Sequence, residues 1–405
     1  MDESLFQNSP TGTLVAISGN DRFGAPWRHL AFQPNPLPAD SPELSGAAYL
    51  RVADARAGLA SLDATARQLP NPRLFRHQSL RVEAQSTAAL EGTYEPLDRV
   101  LTAAEDEPHD ESMREVLNYI DVANEAYQHV AEGRPVNLSL LEELQSRLMR
   151  GTRSEREYSG RIRPIQVVIG RRDDADPTEP EIKASRYVPP PPGLDLEASV
   201  RDLTEWMAAD HTGRIDPVVA AALAHYQFEA LHPFHDGNGR LGRLLIVVSL
   251  HRAGLLSEPT LTVSPWFEAR RPRYYDALLG VSTDGDWSTW VGFFAEGLAH
   301  SASQTQAWML DVSAAQEALK ATIRASRIRT ANAYHLVDFA VDRLIFTASE
   351  AAHQLGMKHQ GAMKLIDSLI SLEVLAPVDG RSYNRLFFAP RIVEVVLGRR
   401  GPVQG

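Results

Sequence analysis

Residues 232–243 read HPFHDGNGRLGR, and this stretch decides how the centre of the chain folds. An apolar helical pattern begins at Asp216-Pro217 and must end at Pro233, because proline has no amide hydrogen with which to continue a helix. A second, nearly continuous apolar helix is predicted from about residue 240 to residue 253, with Gly254 as its left-handed cap. The stretch is therefore predicted to be a glycine-rich loop between two central helices.

The residue types of this loop suit a polyphosphate. Gly237 and Gly239 flank Asn238 where the second helix begins, and such a loop can turn its amide hydrogens toward an anion while the helix dipole adds partial positive charge. Arg240 and Arg243 lie three residues apart. We expect both guanidinium groups to project from one side of the first helical turn and to hold more than one phosphate.

Two further side chains of the stretch supply chemistry. Asp236 is a hard oxygen ligand suited to Mg²⁺, which takes one or two carboxylates and completes its shell with water and substrate oxygens. His232 is a base that can be neutral at pH 7. Together these residues predict phosphoryl or nucleotidyl transfer to a hydroxyl.

The stretch resembles, at every fixed position, the signature HPFx(D/E)GNGRxxR of Fic-domain proteins. Most of these proteins transfer AMP from ATP to a hydroxyl of a target protein, so the resemblance implies a protein adenylyltransferase that uses Mg²⁺ and ATP. It assigns His232 as the general base, Asp236 as the metal ligand, Phe234 as a buried anchor, Gly237, Asn238 and Gly239 as the hole for the α- and β-phosphates, and Arg240 and Arg243 as ligands of the β- and γ-phosphates. Family members that donate phosphate instead depart from this loop, and the present sequence does not.

The segment GRIRPIQVVIG, residues 160–170, is rich in β-branched residues between glycines and predicts a short strand or hairpin. It resembles the family's flap, which covers the nucleotide and pairs with the target backbone as an added strand. The resemblance implies that Ile169 and Gly170 lie near the nucleotide. Arg161 and Arg163 are interpreted first as solvated charges of an edge strand.

Residues 266–287 are similar to the family segment that closes the adenine pocket. The similarity implies that Tyr274 or Tyr275 lies near the adenine base of the nucleotide. For either tyrosine, packing in the core is an equally good interpretation. Ser282 stands where asparagine is frequent, so the family's pattern of base recognition does not carry over directly.

Residues 87–92, TAALEG, match the motif (S/T)xxxE(G/N) of the helix that restrains many Fic proteins, with Thr87, Glu91 and Gly92 at its fixed positions. A carboxylate paired with Arg243 would occupy the guanidinium meant for the γ-phosphate and repel that phosphate. We therefore predict that Glu91 inhibits the enzyme from within the same chain.

The length and composition of the chain limit the number of domains and the classes of protein to which it can belong. The chain has 405 residues, enough for two or three domains at roughly 150 residues each. Its 41 basic and 52 acidic residues give a net charge of −11, which disfavours nonspecific attraction to nucleic acid or anionic lipid. It has no cysteine, and we expect a cytoplasmic protein with neither a signal sequence nor a membrane role.

The predicted fold class is all-α, a Fic helical fold with a small β-hairpin flap and a C-terminal winged-helix domain. Residues 1–48 are rich in Pro, Gly, Asn and Ser and are expected to form an arm with little regular structure. Residues 49–334 would be the Fic domain, including the inhibitory helix and the flap. Residues 335–405 would be the winged helix, with a capped helix over 349–356, a second over 358–372 and strands at Val374-Leu375 and 386–388.

From residue 335 onward the sequence has eight basic and seven acidic residues, far from the basic surface of a strong DNA reader. We therefore favour protein docking or dimerisation for this region, and the resemblance implies a homodimer. Two other functions stay open. One is the reverse reaction, in which Glu91 orients a water that removes AMP from a modified protein. The other is a transcriptional regulator whose Fic domain senses nucleotide.

Overall fold

The computed structural model describes residues 1–20, 26–69, 71–102, 110–378 and 385–398. Within these ranges the chain is mostly helical. The α-helices are α1 (Gly46–Gln68), α2 (Arg73–Leu90), α3 (Leu97–Thr102), α4 (Glu111–Ala131), α5 (Leu138–Met149), α6 (Glu181–Ala184), α7 (Leu194–Ala208), α8 (Pro217–Leu231), α9 (Asn238–Arg252), α10 (Ser264–Glu268), α11 (Arg271–Asp284), α12 (Trp287–Ala325), α13 (Asn332–Arg343), α14 (Ala348–Gln354), α15 (His359–Ile370) and α16 (Pro390–Gly398). The strands are β1 (Gly12–Asn20), β2 (Pro26–Pro34), β3 (Ile169–Arg171), β4 (Ser185–Tyr187), β5 (Ile345–Thr347), β6 (Ala376–Pro377) and β7 (Leu386–Phe388).

Helices α8 and α9 form the centre of the molecule, as the apolar patterns predict. The Asp216 carboxylate caps α8 by accepting a hydrogen bond from the Val218 amide, and Pro217 occupies the first helical position. Almost every residue of the two helices is buried. The 39-residue α12 packs along α1 and α8, and its Trp290 indole donates to the Ala222 carbonyl of α8. The loop of residues 232–237 therefore lies between two helices that are buried in the core.

The expectation of an irregular N-terminal arm is wrong. Strands β1 and β2 pair antiparallel over their whole length, from Gly12 opposite Pro34 to Asn20 opposite Pro26. The Phe32 side chain is fully buried, and its amide donates to the Val188 carbonyl at 2.9 Å. The hairpin is stabilised by contacts with a segment more than 150 residues away in sequence, which local composition does not reveal.

The flap hairpin exists, but its second strand lies outside the predicted stretch. Only β3, at the end of residues 160–170, is a strand, and it pairs antiparallel with β4 through Ile169 opposite Tyr187 and Arg171 opposite Ser185. Residues 161–168 have no regular secondary structure. Four prolines, residues 189–192, lie between β4 and α7, which begins at Leu194.

The C-terminal part has the element order helix, strand, two helices, two strands, helix. Strand β7 lies between β5 and β6, and all pairs are antiparallel. Helix α14 begins at Ala348, one residue before the predicted start, and is capped by Thr347 through a capping box with Glu350. Strand β6 begins at Ala376, two residues later than predicted.

This part packs on the rest of the chain through α13 against α2 and α12, and through α16 against α12. The Gln78 amide of α2 donates to the Asp342 carbonyl at 2.6 Å. Among the described residues, no helix combines the length and the apolar character that crossing a membrane requires.

Candidate active site

The loop between α8 and α9 is held in shape by its own side chains. His232 ends α8 in the left-handed region, with φ of 47°, and Phe234 is fully buried. Asn238 accepts a hydrogen bond from the Phe234 amide at 2.9 Å and donates to its carbonyl at 2.8 Å. Gly237 has φ of 81°, and a Cβ there would lie 2.9 Å from side-chain carbons of α5. Glycine is thus required at this position, and the Asn238 side chain positions the loop instead of facing a ligand.

A cavity of about 340 Å³ opens above this loop, within the size range of small-molecule sites. It is lined by these predicted site residues: Glu91, Ile169, Gly170, His232, Gly239, Arg243 and Tyr275. The remaining predicted site residues do not line it: Thr87, Gly92, Asp236, Gly237, Asn238 and Arg240. The fold thus brings His232, Gly239, Arg243, Glu91 and two residues of the flap to a single cavity.

His232 has the protonation state that a general base needs. Burial, assisted by the positive charge of Arg163, lowers the pKa of His232 to about 4, so the imidazole is neutral at pH 7. Its Nδ1 atom is buried and has no hydrogen-bond partner within the described ranges. His232 also lines the cavity, so an uncharged imidazole lies at its wall.

Arg243 is bound on one side by the helix that precedes the site. Its guanidinium donates to the Thr87 hydroxyl at 2.7 Å, to the Thr87 carbonyl at 3.1 Å and to the Glu91 carboxylate at 2.6 Å. Burial alone would raise the pKa of Glu91, but the charge and hydrogen bond of Arg243 outweigh burial and lower that pKa. Glu91 is therefore ionised at neutral pH. Its position is the C-cap of α2, followed by Gly92 with φ of 92°.

The Glu91 carboxylate lies close to Gly239, in the first turn of α9. A Cβ placed on Gly239 would lie 2.2 Å from the Glu91 Oε1 and 2.9 Å from the Arg243 Nη1. A negative oxygen thus occupies space beside the first turn of α9, where a phosphate would otherwise meet the amide hydrogens.

Arg240 does not line the cavity that Arg243 lines, contrary to the expectation of a shared phosphate site. Its guanidinium, 3% exposed, donates to the Glu115 carboxylate of α4 at 3.0 Å and to the Asp236 carboxylate at 3.1 Å. The two arginines start from neighbouring positions on α9, but carboxylates on different elements bind their guanidinium groups, Glu115 of α4 for Arg240 and Glu91 at the end of α2 for Arg243. Arg240 is thus a structural ion-pair residue in this conformation.

Asp236 fits a Mg²⁺ ion that a nucleotide brings with it. Burial would raise the pKa of Asp236, but Arg240 and hydrogen bonds with Ser154 and the Gly237 amide lower it, so the carboxylate is charged at neutral pH. The part of the chain that the structure describes holds no group of three or more metal-ligating acidic or imidazole side chains. A single carboxylate suits Mg²⁺ when phosphate and water oxygens supply the rest.

Arg163, interpreted from sequence as a solvated edge charge, is 1% exposed. It donates to the carbonyls of His232 at 2.8 Å, Ile165 at 3.0 Å and Pro190 at 2.5 Å, and its amide donates to Pro233. Arg163 therefore connects the flap to the backbone of the proposed base, while Arg161 is exposed as expected. A charged residue beside a proline in a variable-looking loop carries no sequence signal of this role.

The two tyrosines of α11 have different roles. Tyr274 is fully buried, and its hydroxyl bonds to His225 Nε2 at 2.7 Å, so it belongs to the core. Tyr275 lines the cavity. Ser282 also lines it, with its hydroxyl 2.9 Å from that of Tyr226. Of the two tyrosines of α11, Tyr275 is the one that borders the cavity, and Ser282 and Tyr226 line it as well.

Comparison with known proteins agrees with this geometry. Residues 135–250 match the model of the Fic/DOC family, and residues 49–128 match that of the Fic/DOC family N-terminal region. Protein adenylyltransferase Fic of Drosophila virilis is 32% identical over 177 residues, which cover 44% of this chain and 33% of that protein. The same-named protein of Drosophila ananassae is 31% identical over an equal span, with 44% and 33% of the two chains covered.

The chain thus spans about a third of the length of these curated relatives. A crystal structure of a Fic family protein from Desulfovibrio desulfuricans G20 superposes with a TM-score of 0.54 at 22% identity, covering 86% of this chain and 98% of that one. This likeness shows a common fold. Residues 49–128 and 135–250, which contain α2 and the loop of the cavity, thus form a domain of the Fic/DOC family.

Proposed function

We propose that this protein is a protein adenylyltransferase, which transfers AMP from ATP to a Ser, Thr or Tyr hydroxyl of a target protein and of itself. The name of the Drosophila relatives supports the reaction class. The observation that carries the proposal is the cavity itself, which the neutral His232 lines together with Gly239 and Arg243 of α9. An anion site beside a base is what nucleotidyl transfer requires.

The step follows from these residues. The target hydroxyl attacks the α-phosphorus of ATP, and its proton passes to the His232 imidazole. The bond between the α-phosphorus and the oxygen that bridges to the β-phosphate breaks, and pyrophosphate leaves. The negative charge of the bound triphosphate would raise the pKa of His232 from about 4 toward neutrality and strengthen the base. The amides at Gly239 and the Arg243 guanidinium would stabilise the charge on the phosphates.

Asp236 would hold the Mg²⁺ ion, which when bound neutralises phosphate charge and polarises the phosphoryl oxygens. Arg240 now binds the same carboxylate and keeps it aimed toward the loop. Under this proposal Arg240 contributes positive charge near the β-phosphate only if its ion pairs rearrange. The site therefore depends chiefly on Arg243 for the terminal phosphates.

Glu91 would restrain the reaction. Its carboxylate binds Arg243 and covers Gly239, so the γ-phosphate would be repelled and the α-phosphate displaced from attack. Thr87 supports this arrangement because it accepts a second hydrogen bond from the same guanidinium. One observation favours the reverse reaction as a second activity: Glu91 and His232 line the same cavity, so the carboxylate could orient a water toward a bound AMP ester.

We infer that the C-terminal region, predicted from residue 335 onward, forms a winged helix that docks a protein and that the flap docks the target. The nearly balanced charge of this region supports a protein partner over DNA. A cytoplasmic location and a homodimer stay predictions.

The decisive experiment uses ATP labelled at one phosphate at a time. Label on the α-phosphate should appear in the protein and in lysate proteins, and label on the γ-phosphate should not. His232→Ala should abolish transfer while ATP binding persists. Transfer of γ-label would contradict AMP transfer, and a normal rate for His232→Ala would remove this base from the mechanism.

A further inference from the structure

A second carboxyl lies in the cavity, and the proposed reaction does not use it. Glu229 is on α8, one turn before His232, and lines the cavity together with Glu91 and Arg243. Its Oε1 atom is buried and has no hydrogen-bond partner within the described ranges. An ionised Glu229 carboxylate would repel a triphosphate in this cavity, so its protonation state has to be explained.

Gly242 shows how closely this carboxyl approaches the helix of the anion site. A Cβ on Gly242 would lie 2.3 Å from the Glu229 Oε1 and 3.3 Å from the Cε1 of His225. A larger residue at this position would require the Glu229 carboxyl to move. Because Gly242 directly precedes Arg243, Glu229 lies against the turn of α9 that carries the guanidinium.

The charges around Arg243 determine the protonation state of Glu229. Glu91 already neutralises the guanidinium, so a second carboxylate would add an uncompensated negative charge in a buried place. Burial raises the pKa of Glu229 to about 8, with Arg243 opposing and Glu91 adding to the shift. Glu229 is therefore mostly protonated at neutral pH while Glu91 is bound to Arg243.

Most of the other groups that share the cavity with Glu229 are uncharged or paired, and the Arg271 guanidinium lies over the Tyr275 ring, 5.8 Å from its centroid. The titratable and charged groups around it are Glu91 of α2, His225 and His232 of α8, Arg243 of α9, Arg271, Tyr274 and Tyr275 of α11, and Arg186 of β4 on the cavity wall. Burial lowers the pKa of His225 to about 3 and that of His232 to about 4, and it raises the pKa of both tyrosines, so these four are uncharged at neutral pH. Arg186 is paired with Asp276.

We propose that Glu229 is a positioning residue that exchanges with Glu91 at Arg243. When Glu91 withdraws, Glu229 loses its proton to solvent and becomes the counter-ion that keeps the guanidinium aimed at the cavity. When the triphosphate binds Arg243, Glu229 takes a proton from solvent and becomes neutral. This inference rests on the proposed function, because it requires a nucleotide at Arg243.

The test is proton uptake on binding, measured by titration calorimetry in buffers of different ionisation enthalpy. The probe is the Mg²⁺ complex of an ATP analogue with a methylene bridge between the α- and β-phosphates, which cannot donate AMP. At pH 7.5, the Glu91→Gly protein should take up nearly one proton more than the Glu91→Gly, Glu229→Gln protein. The affinity of the Glu91→Gly protein for this analogue should fall up to tenfold between pH 7.5 and 8.5. The reason is that Glu229 is ionised in the free protein and must take up a proton when the analogue binds. The glutamine variant should show no such decline.

The outcomes separate the two proposals. No binding by Glu91→Gly at any pH overturns the nucleotide site, and this inference with it. Binding with equal proton uptake in both proteins overturns the role of Glu229 alone. If Glu229→Gln melts well below its parent, Glu229→Ala replaces it in the same titration.

A stability cycle checks the geometry without nucleotide. Gly242→Ala should lower the melting temperature in the parent protein, and Glu229→Ala should restore part of that loss because it removes the clashing oxygen. Purely additive losses would contradict the close approach, and the exchange with it.

Discussion

Replacing Glu91 by glycine should raise the rate of the proposed AMP transfer, because it removes a carboxylate that both binds Arg243 and lies close to Gly239. Glu91 is the C-cap of α2 and not an interior residue of that helix. Glycine is favourable near a helix C-terminus, so the substitution costs the helix little. A change in activity would thus report on the site and not on loss of the helix.

The size of the effect follows from the ion pair. The Glu91 Oε1 is 2.6 Å from the Arg243 Nη2, with the arginine side chain 1% exposed and the glutamate side chain 31% exposed. Such a partly buried pair is worth about 3 kcal/mol. The γ-phosphate must replace it, so part of that energy returns as a lower barrier: ~1.4 to 2.7 kcal/mol, or about ten- to a hundredfold in rate.

The assay is transfer of α-labelled ATP to the protein itself and to lysate at equal enzyme concentration. Glu91→Gln is the matched control, since it keeps the size of the side chain but removes its charge, and it should give a smaller activation than glycine. Arg243→Ala added to Glu91→Gly should cancel the gain. If Glu91→Gly is folded, binds ATP and is no faster than the parent, the restraint is refuted and the water-orienting role of Glu91 becomes the better explanation.

Three further outcomes are expected. Asp236→Ala should raise the Mg²⁺ concentration needed for half-maximal transfer, and an unchanged Mg²⁺ requirement would exclude this carboxylate as the ligand. Arg163→Ala should lower the free energy of unfolding by about 3 kcal/mol in denaturant titration, because it leaves several buried carbonyls without their donor. An unchanged free energy of unfolding would contradict these buried hydrogen bonds. Tyr274→Phe should lower the free energy of unfolding by about 1 kcal/mol with little change in the KM for ATP, because it removes a core hydrogen bond. Tyr275→Ala should raise the KM for ATP, because this side chain lines the cavity. The opposite result would reverse the assignment of the two tyrosines to core and cavity.

The sequence by itself determined the centre of the molecule, where the signals are local. Pro217 begins α8 and Pro233 prevents its continuation, and Gly237 permits the left-handed turn that starts α9. Backbone restrictions of proline and glycine act within one or two residues, so they can be interpreted without the fold. The motif with Glu91 also predicted a carboxylate at Arg243, the contact that the structure contains.

The tertiary structure alone decided what each charged side chain faces. Arg163 and Arg161 are two residues apart in one loop, yet only Arg163 is buried, because it meets carbonyls from distant segments. Arg240 turns to α4 while Arg243 turns to α2, and the approach of Glu229 to Gly242 depends on the packing of α8 against α9. Burying a charge is favourable only where partners converge from elsewhere in the chain, and their convergence is a property of the packed fold.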